Sequence, residues 1–164
     1  MSAPLLKLDL GCGPRKQPGF VGVDSRKFEG VDVVADLTQR WPWPDASVEE
    51  VYCSQFVEHL EARERIHFAN ELYRVLVAGG TAVIITPNWA NARAYGDLTH
   101  KWPPVTEFWY YYLQKGWREA NAPHNDFYRC DFDFTVEYLY PKKRYALVNF
   151  RHAAHDLKAH LTRR

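Results

Sequence analysis

A glycine-containing turn with a neighbouring carboxylate opens the part of the sequence that could bind a ligand. Gly11-Cys12-Gly13 directly follows the apolar run 5–10, in which Asp9 lies. The glycines allow a sharp turn and let the backbone approach a ligand without a Cβ in the way. Asp9 is an anion suited to a cationic part of that ligand. Cys12 fits this turn because its side chain is small. No neighbouring base is arranged to make its thiol a nucleophile.

Two more carboxylates come at the ends of apolar runs. Asp24 ends the run 20–24, and Asp36 ends the run 31–36. An acid at the end of a second strand can accept hydrogen bonds from both hydroxyls of a ribose, so Asp24 favours a nucleoside ligand. The alternatives are structural: Asp24 as a turn residue, and Asp36 as the cap of a helix or turn.

The spacing around the glycines distinguishes between two nucleoside cofactors. The dinucleotide fingerprint G-x-G-x-x-G needs a third glycine, and this sequence has Lys16 there. Nine residues separate Leu10 from Phe20, fewer than the roughly twelve of a helical crossover, so a helix N-terminus for a pyrophosphate is missing. S-adenosylmethionine (SAM) has no phosphate, and the spacing therefore favours SAM over NAD.

Two histidines are candidates for acid–base chemistry. His100 lies in the polar segment 96–101, and His59 follows Glu58 shortly after the apolar run 48–54. A neutral imidazole can accept a proton near physiological pH. We take His100 as the general base or acceptor-orienting group, with His59 in reserve. The structural alternative for His59 is a histidine held by packing. The alternative for His100 is an ordinary loop at 96–101 stabilised by turns.

These residues require a sheet whose strands end at one edge. Runs of apolar residues predict strands at 5–10, 20–24, 31–36, 48–54 and 81–86. Apolar positions at three- and four-residue steps predict a helix over 61–77, ended by Ala78-Gly79-Gly80. Further along, the patterns predict a loop at 88–104, a helix at 106–117 capped by Thr106, strands at 132–140 and 144–150, and a terminal helix at 152–161. This is an α/β fold with a mostly parallel sheet.

Composition bounds the function classes. A chain of 164 residues fits one domain, 1–164, and a net charge of +1 gives no global reason to expect nucleic acid as partner. Three cysteines without a C-x-x-C pair, no signal peptide and no apolar run long enough to span a bilayer favour the cytoplasm and exclude a membrane protein. His152, His155 and His160 are better explained as a solvated helix face than as ligands, and we expect no metal.

The motifs resemble those of class I SAM-dependent methyltransferases, in particular small proteins of the methyltransferase type 11 kind. The matching stretches within residues 5–90 are LDLGCG at 8–13, VGVD at 21–24, ADL at 35–37, VEHL at 57–60 and LVAGGT at 76–81. The resemblance implies a Rossmann-like sheet of order 3-2-1-4-5-7-6 with strand 7 antiparallel. By this resemblance, we expect the N-terminal helices of the family to be truncated here.

The resemblance also implies roles in cofactor binding. Gly11 and Gly13 would pass under the methionine portion of SAM, and Asp24 would hold the ribose. Asp36 and Leu37 would face the adenine, while Ser54 and Gln55 would touch the cofactor from the fourth strand.

The expected activity is methyl transfer to an oxygen or nitrogen of a small molecule or sugar. The Asn-Pro-Pro-aromatic motif of base-amine methyltransferases is absent after the fourth strand. The alternative is a non-catalytic SAM-binding regulatory or partner subunit, suggested by the short chain. The aromatic run 108–112 could build an acceptor pocket, a homodimer surface or ordinary core.

Overall fold

The computed structural model describes residues 4–140 and 154–164. The strands are β1 (Leu6–Leu10), β2 (Val21–Asp24), β3 (Val33–Val34), β4 (Val48–Ser54), β5 (Leu76–Pro87), β6 (Phe132–Leu139) and β7 (Asp156–Arg163). The α-helices are α1 (Ala62–Val75), α2 (Arg93–Gly96), α3 (Glu107–Tyr111) and α4 (Lys115–Asn121), and Val57–His59 forms a short 3-10 helix. Among the described residues, no helix combines the length and apolar character needed to cross a bilayer.

All seven strands belong to one sheet of order β3-β2-β1-β4-β5-β7-β6. The first five strands run parallel, and β7 lies antiparallel between β5 and β6. This confirms the expected order and the antiparallel strand. Because β1, β2, β3 and β4 point the same way, their carboxyl ends meet at one edge of the sheet, where ligands bind in open α/β folds.

The connections before β4 contain turns instead of the usual crossover helices. Trp41 and Trp43, in the Trp-Pro-Trp-Pro segment, are buried and pack edge-on against each other, and the ring centroid of Trp41 lies 5.3 Å from that of Phe68 in α1. The Trp41 N–H donates to Glu71 Oε2 of α1 at 2.8 Å. Large aromatic side chains thus supply apolar cover near α1 in a stretch without a helix of its own.

The predicted long helix is shorter than its periodicity indicates. It ends at Val75, and β5 begins at Leu76 rather than at residue 81. Leu76 pairs with Val48, and the register then shifts before Thr81 pairs with Glu50. Gly79, with φ +76°, provides the left-handed backbone in this irregular stretch.

The helix predicted at 106–117 is two helices. Thr106 caps α3 as expected, its Oγ1 accepting from the Phe108 N–H at 3.2 Å. The carbonyl of Leu113 accepts from the Phe132 N–H of β6, at 3.0 Å, instead of continuing a helix. Tertiary pairing therefore divides the segment, and the predicted loop at 88–104 contains the short α2.

The prediction of a terminal helix at 152–161 was wrong. Residues 156–163 form β7, in which Leu157, Ala159 and Leu161 face the core at every second position. Leu157 and Leu161 are also four residues apart, a spacing that fits a helix equally well. The strand predicted at 144–150 lies outside the described residues, and the partner that the structure shows for β6 is β7.

Candidate cofactor and acceptor site

The turn after β1 is tied to β2 by its backbone. The N–H groups of Gly11 and Cys12 both donate to the carbonyl of Val23, at 2.8 and 3.1 Å. Gly11 has φ +68°, and a Cβ there would lie 2.6 Å from the Phe56 ring. Only glycine fits at this position, because any side chain would collide with the residues that follow β4.

Gly13 faces open space. Its φ is +52°, and no atom lies within 4 Å of where a Cβ would stand. Its N–H donates to Asp24 Oδ2 at 2.9 Å, which joins the turn to the end of β2. The other oxygen, Asp24 Oδ1, accepts from the Arg26 N–H at 3.0 Å, so part of the turn role considered for Asp24 is present as well.

Asp9 is buried beneath this turn, with 3% of its surface exposed. Its Oδ2 accepts from the Gln17 N–H at 2.7 Å, and burial raises its pKa. A buried carboxylate to which the described residues give one hydrogen bond favours a nearby cation, because a positive charge would offset the cost of its burial.

A cleft of about 400 Å³ opens beside Asp24 at the same edge. Asp36, Leu37, Phe56 and His59 also line it. Asp36 is held in a turn, where its Oδ1 accepts from the Thr38 hydroxyl at 2.7 Å and from the Thr38 N–H at 2.9 Å, and these bonds lower its pKa. The cleft thus brings together Asp24, predicted to bind the ribose, and Asp36 and Leu37, predicted to face the adenine. Asp36 also stabilises a turn, as the structural alternative proposed.

Ser54 and Gln55 lie at the end of β4 but are not among the residues that line this cleft. The Gln55 N–H donates to the Ile85 carbonyl at 2.8 Å, and its side-chain amide donates to Asp156 Oδ1 at 3.3 Å. The predicted contact of these two residues with the cofactor stays a prediction.

The two candidate histidines, 41 positions apart, are brought into contact, with ring centroids 4.9 Å apart. The Thr99 hydroxyl donates to Asp97 Oδ1 at 2.7 Å, so its oxygen accepts from His59 Nδ1 at 3.0 Å. His100 Nδ1 lies 3.1 Å from the carbonyl of Ala94, which can only accept. Both rings therefore carry the proton on Nδ1. Burial, and then His100, lower the pKa of His59, which favours its neutral form.

Glu58 is a site residue that the sequence reasoning missed. It is 3% exposed, and neither carboxylate oxygen has a hydrogen-bond partner among the described residues. Burial raises its pKa to about 7. Glu58 lies in the VEHL stretch, one of the family-like motifs, which could have marked it as a candidate site residue. The sequence does not show, however, that the 3-10 helix turns its side chain inward.

A mostly parallel sheet with this strand order, a glycine turn after β1 and a carboxylate at the end of β2 define a Rossmann-like methyltransferase fold. The sequence comparisons agree. Residues 17–84 match the family described as Methyltransferase domain. A probable S-adenosylmethionine-dependent methyltransferase of Mycolicibacterium smegmatis is 32% identical over 98 residues, which are 49% of this chain. The chain spans 37% of the length of that curated relative.

Solved structures show the same fold. A SAM-dependent methyltransferase from Archaeoglobus fulgidus superimposes with a TM-score of 0.72 at 19% identity, over 98% of this chain and 86% of that one. A methyltransferase in complex with the Trm112 methyltransferase activator of Haloferax volcanii gives 0.62 at 14% identity, over 99% and 84%. The family match and the curated relative each cover less than half of this chain, and the solved neighbours share its Rossmann-like fold.

Proposed function

We propose that this chain binds SAM at the carboxyl edge of its sheet and transfers the methyl group to an oxygen or nitrogen of a small molecule or sugar. The observation that carries the proposal is the hydrogen bond between the Gly13 N–H and Asp24, beside a cleft that also contains Asp36 and Leu37. Gly13, which faces open space, thus lies next to a carboxylate that still has lone pairs for ribose hydroxyls.

Each part of SAM has a candidate contact. Asp9 would offset the positive charge of the methionine end, which would pass over Gly11, Cys12 and Gly13. Asp24 would bind the ribose hydroxyls. Asp36 and Leu37 would contact the adenine, and Ser54 and Gln55 would approach from the end of β4.

Methyl transfer from a sulfonium is an in-line displacement, so alignment of the acceptor is the main task. His59 lines the cleft, and His100 packs against it. With Nδ1 protonated, the Nε2 lone pair of His100 can accept a hydrogen bond from an acceptor group and take its proton. His59 is the reserve candidate for the same task.

Calorimetry with SAM, followed by an acceptor screen read by mass spectrometry, tests the proposal. We expect saturable binding of SAM and a methylated product from at least one sugar or other small molecule. Failure to bind SAM would refute the proposal as a whole.

The histidine role has its own test. His100→Ala should leave the affinity for SAM nearly intact while turnover falls by about two or more orders of magnitude, the scale of a lost base. His160→Ala is the control, because His160 is an exposed histidine on β7, near Glu137. Turnover within a few-fold of wild type, or a joint collapse of SAM binding and stability, would make His100 structural.

A SAM-binding partner subunit is the second candidate. It is favoured by large apolar side chains exposed near the site, Leu98 at 97% and Trp102 at 76%. SAM binding without product by the chain alone, and product after addition of a co-purified partner, would support it. A native mass measurement on the same sample tests the predicted homodimer, and the cytoplasmic location stays a prediction.

A further inference from the structure

Glu58, His59 and His100 form a cluster in which one ligand-type atom of each residue lies within 4.8 Å of the other two. The 3-10 helix Val57–His59 contributes two of these side chains, and the segment after α2 contributes the third. A two-histidine, one-carboxylate set with neighbouring open positions is a common ligand set for divalent transition metals.

The hydrogen bonds of the two imidazoles are those expected of metal ligands. His59 donates its Nδ1 proton to Thr99, which in turn donates to Asp97, and His100 donates its Nδ1 proton to the carbonyl of Ala94. Metal-binding histidines usually donate the other ring N–H to a carbonyl, carboxylate or similar acceptor, which fixes the tautomer and the ring orientation. Both Nε2 lone pairs are thereby available to a cation.

The carboxylate of Glu58 supplies the second, independent observation. Glu58 is buried, and neither of its oxygens has a hydrogen-bond partner among residues 4–140 and 154–164. The guanidinium of Arg65 donates to the backbone carbonyl of Glu58 and not to its carboxylate. Asp97 and Asp156 add negative charge nearby. A buried, unpartnered carboxylate is costly, and a cation would offset that cost.

We propose that Glu58, His59 and His100 bind one divalent transition-metal ion, through a carboxylate oxygen and the two Nε2 atoms. Bonds of about 2.1 Å require ligand atoms about 3 to 3.5 Å apart, so the cluster has to contract slightly on binding. Two nitrogen donors favour Zn²⁺, Co²⁺ or Mn²⁺ over Mg²⁺, which prefers oxygen ligands. The expectation of no metal rests on His152, His155 and His160, and a Glu-His pair with a histidine 41 positions later matches no familiar spacing.

The catalytic use of this ion rests on the proposed methyl transfer. An acceptor hydroxyl bound to the metal loses its proton to solvent more readily. The oxygen lone pair then forms the bond to the methyl carbon, and the breaking S–C bond leaves its electron pair on sulfur as a neutral thioether. In this form His100 holds the metal and is a ligand instead of a free base.

Calorimetric titration of the EDTA-treated chain with Zn²⁺ and Mn²⁺ tests the site, and Mg²⁺ serves as the control ion. We expect one bound ion per chain for Zn²⁺ and Mn²⁺, and no detectable binding of Mg²⁺ at the same concentration. Glu58→Gln and His100→Ala should each weaken binding by at least about tenfold. His160→Ala, which alters an exposed histidine near Glu137, should leave binding unchanged. Circular dichroism checks that each variant is folded. If Glu58→Gln does not fold, the result for His100→Ala tests the site on its own.

The outcomes separate this proposal from the proposed function. The metal site is overturned if the wild type binds no metal ion tightly, or if wild type and His100→Ala bind the ion with equal affinity. This holds even if SAM binds and methyl transfer continues in EDTA. One bound ion that depends on Glu58 and His100 supports the site even if every acceptor fails. Co²⁺ absorption bands that change in His100→Ala would show that the imidazole is a ligand.

Discussion

Gly13 and Gly79 share a left-handed backbone and an empty Cβ position but lie at opposite edges of the sheet. An alanine at either position costs about 1 to 2 kcal/mol of stability, the usual strain of this conformation. We predict that Gly13→Ala also loses most of its affinity for SAM, because its methyl group would occupy the ligand's space. Gly79→Ala should bind SAM as wild type does. Urea unfolding and calorimetry measure the two effects, and equal SAM affinities would mean that the turn does not face the cofactor.

Asp24 provides a second test at the scale of one side chain. We predict that Asp24→Ala weakens SAM binding by about 1 to 3 kcal/mol, since ribose hydroxyls lose a charged acceptor in a partly buried cleft. Glu29→Ala, which removes an exposed carboxylate five residues later, should have no effect on binding. Unchanged affinity in a folded Asp24→Ala protein would remove Asp24 from the site.

Residue types and spacing were enough to select most of these candidates. Asp9, Gly11 and Asp24 could be chosen because strand ends and glycine turns leave a clear local pattern. The role of Glu58 could not, because it depends on which way one short 3-10 turn points a side chain and on a histidine 41 positions after His59. Contacts between such distant segments have no local signature.

At the scale of elements, Arg74 of α1 holds the segment that replaces an early helix. Its guanidinium donates to both oxygens of Glu71, at 2.8 and 2.7 Å, and to the carbonyls of Trp43 and Trp41, at 2.8 and 3.1 Å. Burial acts to raise the pKa of Glu71, but the bonds from Arg74 and the Trp41 N–H outweigh it and hold the pKa below its ordinary value.

We predict that Arg74→Ala lowers the free energy of unfolding by about 3 to 5 kcal/mol, because Glu71 is left buried without its cation. The difference from wild type should be full above the ordinary pKa of Glu71 and should shrink as the pH falls through the lowered one. Lys115→Ala, which removes an exposed ion pair with Glu119, should change stability by at most about 0.5 kcal/mol. A pH-independent difference in urea unfolding would contradict the pairing of Arg74 with Glu71.

The elements themselves were predictable where one period dominates. The apolar runs gave strands near the observed β1, β2 and β4, and the three-to-four spacing gave α1 to within two residues of each end. β7 was mistaken for a helix because Leu157 and Leu161 satisfy both periods. Its pairing with β5 and β6, a tertiary interaction, decides the outcome.

For the whole molecule, the cleft depends on segments that are distant along the chain, so cofactor binding and folding are linked. Asp9, Asp24 and Phe56 come together only when β1, β2 and β4 are paired. The unfolded chain therefore has no site. SAM should stabilise the protein in proportion to its occupancy, and the size of that effect reports on the intact cleft.

The last prediction separates SAM from a dinucleotide by this linkage. The side chain of Lys16, at the position of the missing third glycine, lies over Gly22 and pairs with Asp32 at 2.7 Å, and no helix follows the turn to receive a pyrophosphate. SAM at about 100 times its Kd should add about 2.7 kcal/mol to the free energy of unfolding, which raises the Tm by about 5 to 10 °C. NAD at the same concentration should leave the Tm unchanged. A thermal shift with NAD as large as that with SAM would mean that the turn accepts a pyrophosphate after all, and the preference inferred from Lys16 would be wrong.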